Sequence, residues 1–205
     1  IGLAAFIAMA AQAGLPPMPV VALDSHLAFM LVVQQAIIGF SLGFAVRVLF
    51  ATADYAGELM GLQMGLNFAG FFDPMSASQG TATARFMGTT LSWLFVVVNG
   101  HLLVIAALVD SFTAFPVGPQ PLAFIASAQP HRWAADIFST GLWMALPLIA
   151  MLIFVNLVLG MVSRVAPQIN IFAVGFPVTL GVGLVGLLLT LPMMQQPFLM
   201  ALERV

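Results

Sequence analysis

The sequence predicts an all-α integral membrane protein, and three observations carry that prediction. Of its 205 residues, 62% are hydrophobic and only 6% are charged, against about 25% charged in soluble domains. Mean hydropathy is +1.12, so a water-facing fold would have almost nothing ionised to present to solvent. Apolar stretches of 20 residues or more recur along the chain, long enough to cross a hydrocarbon core of about 30 Å. About five to seven long, partly broken apolar helices are expected over residues 1–205.

The first element, Ile1 to Leu15, reads as the end of a hydrophobic helix closed by Gly14 and the Pro16-Pro17 pair. The chain opens inside an apolar run without an initiator Met and without a basic leader region, so further N-terminal sequence is expected. After a loop with Asp24, Ser25 and His26, Leu27 to Val46 gives 20 uncharged residues, and the apolar pattern resumes straight after Arg47. Unbroken to Leu66, this helix would be roughly 60 Å long at about 1.5 Å per residue, twice a bilayer core. It must therefore project from the membrane, break near 53–58, or lie inside a thick protein assembly. On one continuous helix Arg47, Asp54 and Glu58 share a face within about 40°, a polar stripe suited to protein or water rather than lipid.

Residues 61–83 are Gly-, Met- and Phe-rich at first, then small and polar. Phe86 to Val109 is a second uncharged stretch, interrupted at Asn99-Gly100-His101, and Asp110 to Asp136 reads as a long connection. Ile137 to Ser163 gives 27 uncharged residues with Pro147 inside, before a polar break at Arg164–Gln168. Ile169 to Leu202 gives 34, and its Gly175, Pro177, Gly181, Gly183, Gly186 and Pro192 predict two half-length helices or a hairpin rather than one rod. Five dispersed arginines give no loop asymmetry, so orientation in the membrane stays open.

Composition also removes function classes. Arg47, Arg85, Arg132, Arg164 and Arg204 are the only basic residues besides histidine and lie tens of residues apart, which is no nucleic-acid surface. Without Cys there is no thiolate catalysis or Cys-ligated metal, and without Lys the phosphate loop G-x-x-x-x-G-K-[ST] is impossible. Gly39-Phe-Ser41-Leu-Gly43 matches a nucleophile elbow, but that motif works only at a strand-to-helix turn; close packing of membrane helices explains it better. His26, His101 and His131 are too dispersed for a metal site. His101 beside Asn99 reads as a hydrogen-bonding pair in a subunit contact. Asp54, Glu58 and Asp73 fit interfacial caps and salt bridges better than a proton path, which would bury a carboxylate mid-span.

The 61–83 passage carries the sharper functional reading. Gly61, Gly65 and Gly70 permit tight backbone conformations, Met64 and Met75 can repack around varied shapes, and Phe68, Phe71 and Phe72 supply bulk beside Asp73-Pro74. Such a loop could close a wide pore, or equally be a kinked helix end packed in a core.

Several blocks resemble the FliR family of flagellar biosynthetic proteins: Gly57-Glu58 through Phe68 with Phe72-Asp73-Pro74; Asn99-Gly100-His101 with Asp110 and Pro116-Val-Gly118; and Asn156 through Gly160 running into Arg164-Val-Ala-Pro-Gln168 and on to Gly175-Phe176-Pro177. In order and at matching spacing, they extend the resemblance from about Leu27 to the C-terminal end. The Gln63-Met64 pair looks like the flagellar rather than the injectisome branch, and the family begins one or two helices earlier.

The resemblance implies a non-enzymatic, cofactor-free subunit of the type III export gate in the bacterial inner membrane. That gate is a helical stack of hairpins built with FliP and FliQ around a conduit for unfolded proteins, with FlhB packed outside and FlhA nearby. Carried over by position, the family's plug loop falls at about 64–80, placing Gln63, Met64, Gly65, Phe68, Phe71, Phe72, Asp73, Pro74 and Met75 at the closed conduit. Arg47, Asp54, Glu58, Arg85, Asn99, His101, Asn156, Arg164, Gly175 and Pro177 are expected in contacts within or between subunits. The rival reading is a small-molecule secondary transporter, whose discontinuous helices the Gly/Pro breaks would also fit.

Overall fold

The computed structural model describes residues 2–12, 21–22, 24–66, 80–115, 130–168 and 170–203. Among these the chain is all-α, without strands. In order, α1 spans Gly2–Gln12, α2 His26–Met64, α3 Ala82–Val97, α4 Gly100–Ala114, α5 Pro130–Val165 and α6 Ile171–Thr190, followed by a 3₁₀ turn at Leu191–Met194 and α7 at Gln195–Glu203. Three segments are long and apolar enough to cross a membrane, namely His26–Met64, Ala135–Val165 and Ala173–Met200; a fourth is reached if the bent pair α3–α4 counts as one span.

The chain divides into two compact units, residues 1–47 with 95–130 and residues 48–94 with 131–205. In the first, α4 begins where Asn99 takes a left-handed conformation (φ 57°, ψ 30°). Asn adopts this region more readily than branched or bulky residues. Gly100 follows because a side chain there would run into the Phe95 ring, with Phe95 O only 3.0 Å from the added carbon. That pair is the physical origin of the break expected at 99–101.

The second unit holds most of the buried core. Met60 and Met64 from α2 and Leu148 and Leu152 from α5 are fully buried, with Met87 of α3, Leu187 of α6 and Phe198 of α7 nearly so. Water-to-oil transfer does not drive helices together within a bilayer; close van der Waals approach does. Glycine notches create that approach. On α6, Gly183 faces Met64, whose Cγ would lie 2.5 Å from an added Cβ, and Gly186 faces Met151 and Leu148. On α5, Gly141 lies against Tyr55 and the Thr52 carbonyl of α2, while the Tyr55 and Phe138 rings meet edge to face at 5.1 Å. Buried threonines return their hydroxyls to their own helix, Thr52 to Val48 O at 3.0 Å and Thr190 to Gly186 O at 2.9 Å, so these two hydroxyl donors are satisfied among apolar neighbours.

Three expectations about the helices are refined. α2 does not break at 53–58 but runs for 39 residues. The 110–136 connection is shorter, because α4 continues to Ala114 and α5 starts at Pro130. The 169–202 stretch forms no hairpin: α6 passes through Pro177, close enough to its start that one missing backbone bond leaves the later turns intact. Pro192 is the second residue of the 3₁₀ turn, in its first turn, where a backbone N–H has no partner within the turn to lose. Gly183 and Gly186, which read as breakers in the sequence, are packing notches.

Candidate functional site

The two ends of the 65–80 stretch are held at one place in the second unit. α2 stops at Met64, and Gly65 turns left-handed at φ 79°, its N–H donating to Leu62 O at 3.1 Å. The stretch returns at Gly80, again left-handed at φ 77°, where glycine avoids the clash a Cβ would cause. α3 then starts directly against the last turns of α2. Gly57 meets the Ala84 backbone, where an added Cβ would also lie 2.8 Å from Thr83 O. One turn on, a Cβ at Gly61 would lie 2.5 Å from Thr83 Oγ1 and 3.1 Å from Thr81 Oγ1. The Gly57-x-x-x-Gly61 spacing puts both on one face, the small-residue pattern that lets membrane helices touch backbone to backbone.

The polar groups of this neck pair with one another. Thr81 is the N-cap of α3, its Oγ1 accepting the Ala84 N–H at 3.1 Å and lying 3.0 Å from Thr83 Oγ1. The Thr81 N–H donates to Glu58 Oε1 of α2 at 2.8 Å, a length typical of charge-assisted bonds. A carboxylate at a helix N-terminus is also favoured by the helix dipole. Asp54, one turn earlier, is half-buried, and its Oδ1 lies 2.7 Å from where a Cβ would stand on Gly88 of α3. Both half-buried acidic residues of α2 therefore face α3.

The residues singled out in the sequence fall into three groups. Asp54, Glu58, Gln63, Met64 and Gly65 lie in or beside this neck, with Gln63 half-buried and Met64 fully buried against Gly183. Met64 thus sits at the root of the stretch, seated in the core. Phe68, Phe71, Phe72, Asp73, Pro74 and Met75 lie outside the described residues. Arg47, Arg85, Asn99, His101, Asn156, Arg164 and Pro177 are all exposed on the chain's own surface, while Gly175 is half-buried near Leu159. Ser41 of the elbow-like motif sits within the unbroken α2, and among the described residues no other part of the chain lies within 4 Å of a Cβ placed on Gly39 or Gly43. That is not the strand-turn-helix setting a nucleophile elbow needs.

All of residues 1–205 match the family described as bacterial export proteins, family 1. The chain belongs to that family. Similar members include the flagellar biosynthetic protein FliR of Pectobacterium carotovorum subsp. carotovorum, 47% identical over 166 residues, which cover 80% of this chain and 62% of that protein. FliR of Escherichia coli (strain K12) is 45% identical over 184 residues, 90% of this chain and 70% of that protein. FliR of Bacillus subtilis (strain 168) is 29% identical over 195 residues, 92% and 73%. This export-family chain thus spans 62% of the length of the Pectobacterium relative.

Sequence reasoning missed Thr81, Thr83 and Gly183 as partners in the export-family neck. A threonine preceding an apolar helix is an N-cap signal, and Thr81 carries it. The third residue of the helix is Ala84 rather than Glu or Gln, so no capping box is visible along the sequence. The missing carboxylate arrives from α2, 23 residues earlier.

Proposed function

We propose that this chain is a structural, non-enzymatic subunit of the flagellar type III protein-export gate in the bacterial inner membrane. It would assemble with FliP and FliQ, with FlhB and FlhA alongside, around a conduit for unfolded proteins. The observation that carries the proposal is the family match over residues 1–205 together with relatives named FliR at 45–47% identity. Two structural features support it. At about 1.5 Å per residue the 39-residue α2 is close to 60 Å long, twice a hydrocarbon core, so part of it needs protein around it. Large apolar side chains also stand out from the chain, among them Phe40 (80% exposed), Trp93 (70%) and Leu189 (69%), a surface that requires lipid or partner subunits to cover it.

Within that gate the 64–80 stretch is proposed as the plug, with its aromatic and methionine residues closing the conduit to ions between export events. The exposed Arg47, Arg85, Asn99, His101, Asn156 and Arg164 are proposed as contacts to neighbouring subunits. Deleting 67–79 tests the plug directly. Membranes containing the deletion assembly should conduct small ions well above the wild-type level, and unchanged conductance removes the plug assignment. The secondary-transporter reading has no support, since the family and the relatives named above are export or flagellar proteins.

A further inference from the structure

We propose that Glu58 is a positioning residue: it completes the N-cap of α3 across the α2–α3 contact and so fixes where the chain re-enters the second unit after the 67–79 stretch. A helix N-cap normally leaves its own backbone N–H without an intrahelical partner. In a capping box, a Glu or Gln three residues into the same helix reaches back to it. Here that position is Ala84, which is buried and offers no acceptor, with its backbone set directly against Gly57 of α2. With no capping partner in its own helix, the donor is met by Glu58, which the close approach of α2 brings within 2.8 Å of it. One geometry thus ties together the Gly57–Ala84 contact, the Gly61–Thr83 contact, the left-handed Gly80 beside Glu58 and the Thr81 cap. The carboxylate acts as an acceptor from a neighbouring helix, and its removal frees the first turn of α3 while leaving α2 intact.

The position of Glu58 can be tested apart from its consequence. These 205 residues contain no Cys, so cysteines introduced at exposed Leu62 and Ala82 can carry spin labels in the protein within its membrane-extracted assembly, any Cys elsewhere being replaced first. The label-to-label distance distribution should be narrow in the parent and in Glu58→Gln, whose amide oxygen still accepts the N–H, and broad in Glu58→Ala. Hydrogen exchange on the otherwise unmodified protein gives a second reading that needs no folded variant. The Thr81 amide should exchange about tenfold to a hundredfold more slowly than a free N-cap amide, the range set by one bond to a charged acceptor. A fast Thr81 amide overturns the proposal, as does an equally narrow distribution in Glu58→Ala, or a Glu58→Gln as broad as Glu58→Ala. The consequence for ion tightness rests on the plug reading above. If Glu58→Ala broadens the distance yet membranes stay tight, the plug reading fails while the position of Glu58 stands.

Discussion

Gly57→Ala should be among the most damaging single-methyl additions in the chain. The added carbon would meet the Ala84 Cα, with the Ala84 N and Thr83 O both at 2.8 Å. All three are backbone atoms, so no side chain can swing aside and α2 and α3 must separate. Overpacking of this kind costs about 1–3 kcal/mol. Separation also stretches the Glu58–Thr81 bond, a charged hydrogen bond worth about 1.5–3 kcal/mol. Against this stands the gain of about 1 kcal/mol from replacing glycine within a helix. The net loss is about 1.5–5 kcal/mol, or a fall in melting temperature on the order of 3–20 °C at about 2–4 °C per kcal/mol. Gly181→Ala is the matched control, because among the described residues nothing beyond its own helix backbone lies within 4 Å of the added carbon; it should melt at or slightly above the parent temperature. Size-exclusion recovery of the detergent-extracted protein after stepwise heating reads both variants. If Gly57→Ala melts within a degree of Gly181→Ala, the backbone contact at the neck is not what the argument requires.

In Gly183→Ala the atoms nearest the added carbon are the Cγ, Cε and Sδ of Met64, at 2.5–2.9 Å. A flexible thioether can repack, so the same assay should show a loss of about 1 kcal/mol, clearly smaller than for Gly57→Ala. Asn99→Val should destabilise by about 1–2 kcal/mol, because a branched residue resists the φ of 57° found there, whereas Asn99→Gly should be close to neutral in the same melts.

Much of the helical layout was legible, for reasons that can be named. Asn99-Gly100 announces the α3–α4 break because a small polar pair in an apolar span has few other uses, and the residues themselves supply the left-handed turn and the space beneath Phe95. The continuity of α2 was not legible. Arg47, Asp54 and Glu58 could mark either a break or a buried stripe, and only the location of α3 decides that Asp54 and Glu58 are covered. The glycines of α6 misled for a related reason: a glycine weakens a helix by itself, yet Gly183 and Gly186 admit the ends of Met64 and Met151, and that partner is invisible along the sequence. The Glu58–Thr81 bond links residues 23 apart through a stretch with no periodic pattern, so nothing local predicts it.

The central claim, that this chain acts only as one part of a membrane export assembly, is tested most directly by native mass spectrometry of the detergent-extracted protein co-expressed with its genomic neighbours. The account predicts a discrete hetero-oligomer in which one copy of this chain is joined by several copies of two smaller membrane proteins. A folded monomer or homodimer, stable in the presence of those neighbours, would contradict it.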